Sequence, residues 1–213
     1  MQDREFNKIL KSVPLDYYQR GTKTNLLRKY WHGTKINFAV KLLKKFSFNN
    51  CLEVGSASGY MIAEIAKKYP KVSFQAIDTY KEAIEYAQRR YPHINFINAQ
   101  AEKLPYKNNQ FDLVLCYETI EHVRNPEKAI AEMKRVLKKG GKLILAMDSG
   151  TTAFKIIWFF WEKTFGRAWQ GAHLNPYYYK DLEHLVLQSG FTILDRHFTH
   201  FGLEVVFVLI KSE

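Results

Sequence analysis

Along the chain, short runs of consecutive apolar residues give way to stretches in which apolar residues return every three or four positions, and the two patterns alternate between residues 51 and 147. The first pattern suits strands covered on both faces, the second suits helices with one buried stripe. Residues 51–54, 72–77, 94–97, 111–116 and 142–147 read as strands. Met61, Ile62, Ile65 and Ala66 give the stripe of one intervening helix, and Ala83, Ile84, Tyr86 and Ala87 that of the next. Tyr69-Pro70 and Tyr91-Pro92 stop them, because the residue before a proline is pushed off helical backbone. A third helix opens at Asn125-Pro126, buries Ala129, Ile130, Met133, Val136 and Leu137, and closes with Lys138, Lys139 and Gly140-Gly141. Strand and helix in regular alternation predict an α/β domain around a parallel sheet.

The flanks follow other patterns. Residues 1–45 read as helical, with stripes at Phe6, Ile9 and Leu10, at Leu26, Leu27 and Tyr30, and at Phe38, Val40, Leu42 and Leu43. Residues 16–21 look like an aromatic-rich turn between them. This segment precedes the first strand and is expected to form a helical cap, with 46–213 as the main domain. Residues 148–177 form a variable segment with a strongly apolar run at 156–161, flanked by Lys155, Lys163 and Arg167. A last helix closes at Ser189-Gly190, and residues 191–196 and 203–210 read as two final strands.

The chemistry gathers where the first strand ends, at C-L-E-V-G-S-A-S-G-Y, residues 51–60. Gly55 and Gly59 let the backbone turn sharply and come close to a ligand, and the helix that follows directs free N–H groups into the crevice. Such strand–loop–helix units hold nucleotide-like cofactors at the carboxyl ends of parallel strands. The dinucleotide fingerprint G-x-G-x-x-G is not met, because Ala57 and Tyr60 stand where its second and third glycines would be. Glu53, two positions before the loop, can meet a cationic ligand. Asp78, at the tip of the second strand and about 20 residues beyond the loop, stands where a ribose diol is gripped.

Glu53-x-Gly55-x-x-x-Gly59, with the loop N-A-Q-A-E-K-L-P-Y (98–106) and the run F-D-L-V…E-H-V…P-E-K-A…K-K-G-G-K-L-I-L, resembles the small-molecule, UbiE-like branch of the class I S-adenosylmethionine-dependent methyltransferases over about residues 48–147. The resemblance implies a Rossmann-like three-layer sandwich with a mostly parallel seven-stranded sheet, its final strand reversed, beneath the helical N-terminal cap. It implies S-adenosylmethionine as cofactor, leaving as S-adenosylhomocysteine. Glu53, Gly55, Ser56, Ala57 and Gly59 would hold the methionine part and Asp78 the ribose. Gln100 and Ala101 would meet the adenine, with Glu102 and Tyr117 beside them. Gln100 replaces the family's usual Asp, and its amide oxygen can still accept from the adenine amine.

The acceptor is less marked. Tyr17, Tyr18, Trp31 and His32 from the cap, and Trp158 from the variable segment, are candidate substrate contacts. His122 and His173 are candidate bases for a hydroxyl or acidic C–H acceptor. The methyl acceptor is expected to be a small molecule, apolar or lipid-like.

Charge adds a partner question. The chain carries a net +11, and residues 1–50 hold 11 Lys/Arg against 3 Asp/Glu. Such a segment can attract a membrane surface or RNA, so RNA methylation stays open, as does a non-catalytic cofactor-binding or scaffold role. The N/D-P-P-Y/F element of exocyclic base-amine methylation is missing, since that place reads Cys116-Tyr117-Glu118-Thr119. The two cysteines, Cys51 and Cys116, fall in strands and read as buried thiols, with no metal spacing. A polar amino terminus and no membrane-length apolar run point to the cytoplasm, with a monomer or homodimer and no metal.

Overall fold

The structure, a computed structural model, describes residues 13–163 and 177–212. The chain opens with α1 (Tyr17–Thr24) and α2 (Leu26–Leu43), followed by β1 (Asn50–Val54), α3 (Tyr60–Ala66), β2 (Ser73–Asp78), α4 (Lys81–Arg90), β3 (Asn95–Asn98) and β4 (Phe111–Tyr117). A short 3-10 turn at Ile120–His122 leads into α5 (Pro126–Val136), β5 (Leu137–Asp148) and α6 (Thr152–Lys163). The chain closes with α7 (Tyr179–Gln188), β6 (Phe191–Thr199), a turn at His200–Gly202 and β7 (Glu204–Lys211).

The strands form one sheet in the order β3-β2-β1-β4-β5-β7-β6. β1 to β5 run parallel, and β7 is antiparallel to both β5 and β6. The chain moves outward from β1 through β2 to β3, then crosses back to β4 on the other side of β1. The carboxyl ends of β1 and β4 therefore flank a topological switch point, where loops diverge and leave a crevice. One face of the sheet is covered by Ala39, Leu42 and Leu43 of α2, by Ile62 and Ile65 of α3 and by Ile84 and Ala87 of α4. The other is covered by Ile130, Met133 and Val136 of α5 and by Leu182 and Val186 of α7. Those of α3, α4 and α5 are the stripes the periodicity marked, and the helices on both faces make the domain a three-layer sandwich.

Several expectations are corrected. The turn expected at 16–21 is mostly helix, since α1 begins at Tyr17. Leu26, Leu27 and Tyr30 are 84%, 74% and 51% exposed, because this end of α2 overhangs the crevice and only its later turns reach the sheet. α5 ends at Val136, and Lys138 and Lys139 belong to β5. Leu137 pairs with Phe111, and the Lys138 ammonium reaches Asp112 at 2.7 Å; these cross-strand contacts win over helix continuation. Phe6, Ile9 and Leu10 lie outside the described residues. Among the described residues, no helix is long and apolar enough to cross a membrane.

Candidate functional site

After Val54 the chain turns at once, with Gly55 at φ 82°, Ala57 at 45° and Gly59 at 74°. The N–H groups of Gly55 and Ser56 both donate to Ile77 O at 2.9 Å, which fixes the loop to the end of β2. A Cβ on Gly55 would stand 2.1 Å from Thr119 Oγ1, and one on Gly59 2.6 Å from the Phe96 ring. The space these glycines leave is thus taken by protein neighbours, where the sequence suggested clearance for a ligand. Positive φ and close packing together make both positions intolerant of side chains.

Two carboxylates face the crevice from the strand tips. The Ala57 N–H donates to Asp78 Oδ2 at 2.7 Å and the Tyr80 N–H to Oδ1 at 2.8 Å. Burial pushes the Asp78 pKa up while these backbone donors pull it back. The Thr79 N–H is a third such donor, and the carboxylate keeps acceptor capacity for a further one. Glu53 is 2% exposed, and its Oε2 has no hydrogen-bond partner. Burial, reinforced by the Asp78 charge, pushes its carboxyl up to about 8. A buried carboxylate oxygen without a donor is costly unless a ligand supplies one. Ser56 Oγ and Tyr117 Oη are buried and unpartnered in the same wall.

The opposite wall begins with the cap. Gln19 Nε2 donates to Ser58 Oγ and to Tyr91 Oη, both at 3.3 Å, so α1 lies across the glycine loop. α2 carries Lys35, 4% exposed, down to Glu118 and to Glu204 Oε1 at 3.2 Å. The Thr199 hydroxyl donates to Glu204 Oε2, and His200 Nδ1 lies 3.2 Å from it. His200 Nε2 donates to the Trp31 carbonyl at 2.9 Å, and the two rings stack with centroids 3.9 Å apart. Burial opposes the Lys35 charge, yet Glu118 and Glu204 together hold its pKa above the usual lysine value. Burial would raise Glu118, but Lys35 overrides it and holds that carboxyl at about 2. His32 is pushed down to about 4 by burial, so its imidazole is neutral at pH 7.

Beside this network stands Glu121, 4% exposed, with no hydrogen bond to either carboxylate oxygen. Burial pushes its carboxyl up to about 8, its own backbone N–H pulls the other way, and the Glu118 charge adds to the push.

One cavity of about 860 Å³ joins the two walls, large against the roughly 300–1,000 Å³ of typical small-ligand sites. Glu53, Gly55, Ser56, Ala57 and Asp78 line it, as do Gln100, Ala101, Glu102 and Tyr117 at the next two strand ends. Tyr17, Tyr18, Trp31 and His32 reach it from the cap, Trp158 from α6 and His122 from the 3-10 turn. Gly59 stands behind the loop, against Phe96, and does not line the cavity. Glu102 Oε1 accepts from the N–H groups of Arg124 and Asn125 at 3.0 and 3.3 Å, so that oxygen holds the loop before α5. His173 lies outside the described residues.

The sequence reading did not single out Lys35, Glu118, Glu121, Glu204 or His200. The spacing Glu118-x-x-Glu121 straight after a buried strand at the switch point was the available signal for two of them. Nothing local signalled the others, because His200 and Trp31 are 169 positions apart. Cys51 and Cys116 are free and buried, as expected. Among the described residues no group of three or more His, Cys, Asp or Glu side chains could hold a metal ion.

Residues 52–145 match the family model described as a methyltransferase domain. A demethylmenaquinone methyltransferase of Renibacterium salmoninarum is 42% identical over 77 residues, 36% of this chain and 32% of its own length. The chain thus spans about a third of the length of that curated relative. A solved S-adenosylmethionine-dependent methyltransferase of Methanosarcina mazei superposes with a TM-score of 0.64 at 21% identity, covering 80% of this chain and 97% of that one. The [4+2]-cyclase SpnF superposes with a TM-score of 0.66 at 16% identity, over 82% and 80%. At such identities the structural likeness speaks for the fold alone.

Proposed function

Residues 52–145 form a class I S-adenosylmethionine-dependent methyltransferase domain of the UbiE-like branch, and from that premise we propose that this chain methylates a small acceptor with an apolar body. The observation that carries the reading is Glu53 Oε2, a buried orphan acceptor in the same cavity as Asp78 and the glycine loop. The residues present fit the cofactor. Glu53 and Ser56 offer acceptors to its amino group, Asp78 has lone pairs for the ribose hydroxyls, and Gln100 and Ala101 stand where the adenine edge would be read. When bound, S-adenosylmethionine supplies an activated methyl group on a sulfonium that carries its own leaving group. The protein then has three tasks: to align the acceptor, to exclude water and to receive a proton. Aromatic walls from Tyr18, Trp31 and Trp158 serve the first two. Calorimetry with S-adenosylhomocysteine tests the reading: one equivalent should bind, and no binding refutes it.

The mouth of the cavity supports the apolar character of the acceptor. Leu27, Ile157 and Phe201 line it while remaining 74%, 51% and 93% exposed. His200 and Phe201 hold left-handed backbone at φ 49° and 58°, which is uncommon for residues with side chains. Phe160, three residues beyond Ile157 on α6 and 64% exposed, extends this apolar surface and favours a membrane surface as the place where an apolar acceptor is collected. Trp158 faces inward, stacked on Phe154 with centroids 5.4 Å apart, so the substitutions that test this are Phe160→Glu and Phe201→Glu. Both should reduce sedimentation with anionic liposomes, and unchanged sedimentation refutes the membrane reading.

A further inference from the structure

We propose that the far end of the cavity is an amine site, in which Glu121 receives the ammonium group of an aromatic or otherwise apolar amine and takes a proton from it. The proposal deepens the methyltransferase reading and rests on it for the use made of the freed nitrogen. It stands first on an unmatched group: neither oxygen of Glu121 has a hydrogen-bond partner, although the residue is 4% exposed and lines the cavity. Buried carboxylates are normally paired or hydrogen-bonded, and an unpartnered one on a residue that lines a cavity asks for a donor from outside the chain.

Of the basic groups that line the cavity, three are paired, neutral or stacked on a ring. Lys35 is held between Glu118 and Glu204. The burial of His32 keeps its ring neutral at pH 7, and the Arg28 guanidinium lies over the Tyr17 ring, 4.3 Å from its centroid. Asp148 lines the same end. An acceptor that develops negative charge, such as a phenolate or enolate, would meet the ionised Glu118 and two further acids, whereas an ammonium finds acceptors there. Tyr117 Oη, buried and unpartnered, offers a second polar contact. Tyr18, Trp31 and Trp158 present ring faces suited both to an apolar body and to a cation.

The proton step balances within the pair. An N–H bond of the ammonium breaks, an O–H bond forms on Glu121, and the bonding electrons stay on nitrogen as its lone pair. Ammonium and carboxylate become neutral amine and carboxylic acid, with no net change of charge. A dry site favours the neutral pair over the ion pair, because both charges lose their hydration there. Burial lifts the Glu121 carboxyl to about 8, so below that pH its own proton passes to solvent as the ammonium enters, and the carboxylate so formed accepts the proton from nitrogen.

Calorimetry with tryptamine and its alcohol counterpart tryptophol, each with and without S-adenosylhomocysteine, tests the proposal. Tryptamine should bind at least tenfold more tightly than tryptophol. Glu121→Gln should cost tryptamine tenfold or more and leave S-adenosylhomocysteine within about twofold of wild type, which also shows that the variant is folded. Absent tryptamine binding, equal affinity for amine and alcohol, or an unaffected E121Q each overturn the amine site. Failure of wild type to bind S-adenosylhomocysteine would instead overturn the cofactor reading, and it is seen in a separate arm.

Discussion

The end of the cavity under the glycine loop takes its carboxylates from the tips of β1 and β2, Glu53 and Asp78. The far end draws Lys35, Glu118, Glu121 and His200 from α2, the loop after β4 and the corner before β7, with Glu204 of β7 behind Lys35. At the first end the protein's own donors are backbone N–H groups fixed by the fold. At the second, side chains neutralise one another and one carboxylate is left over. The first arrangement is a receptor that any strand–loop–helix crossing at a switch point can build. The second depends on long-range contacts specific to this chain. In the proposed reading the cofactor would be met by parts that topology supplies, and the acceptor by parts assembled from a distance.

Substitutions that strike one end and spare the other sharpen this contrast. Lys35→Met should have the largest effect, because it leaves Glu118 and Glu204 buried without their cation. Breaking such a cluster from one side costs about 3–5 kcal/mol, and urea denaturation should show the loss directly. A midpoint close to wild type would mean that the far end is not held by charge pairing.

A pH series on Glu121→Gln comes next. In the folded protein this carboxyl sits at about 8, above the ordinary 4.5, so the folded state binds its proton more tightly than the unfolded chain. The resulting stability is present in full below about pH 4.5 and is lost as pH rises through 8. Between pH 5 and pH 8.5 the variant should therefore lose less stability than wild type, by about 2 kcal/mol or more. Equal losses in thermal unfolding would contradict the burial of an unpaired carboxylate. Glu118 acts in the opposite sense and lower down: held at about 2 by Lys35, it contributes stability above about pH 4.5 that is lost as the solution is acidified toward pH 2.

Asp78→Ala should weaken S-adenosylhomocysteine tenfold or more, about 1.4 kcal/mol, while tryptamine affinity without cofactor stays near wild type. If both fall together, the two ends are not separable. The smallest expected effect is on the scaffold they share. The Asn125 side chain accepts from the Lys128 N–H at 2.8 Å and caps α5, so Asn125→Ala should cost about 1 kcal/mol of stability with both affinities unchanged.

The same division explains what could be read from the sequence. The strands, the three helices between them and the glycine loop were legible because each is specified by neighbours along the chain: periodic apolar residues, prolines after helices, an Asn-Pro cap. The β5 boundary was misplaced because Lys138 answers to Asp112 across the sheet, and a Lys-Lys-Gly-Gly run reads locally as a helix end. At the cofactor end, Glu53, Asp78, Gln100 and Tyr117 fell into one cavity because successive strand tips of a parallel sheet lie side by side. At the far end, Tyr18, Trp31 and Trp158 were found only as aromatics in unusual places. Lys35 was hidden as one cation among the many in a basic segment. Its burial follows from carboxylates far along the chain, which no window of sequence contains.

Lys35 rides on the helical cap, but both of its counterions belong to the sheet domain. Hinging the cap away would carry Lys35 off and leave Glu204 buried and Glu118 half-buried without their cation, so the ion cluster resists lifting of this roof. Leu27, Ile157 and Phe201 stand exposed on the same cavity, a greasy lip over which a molecule with a hydrocarbon flank would slide more readily than a water-loving one.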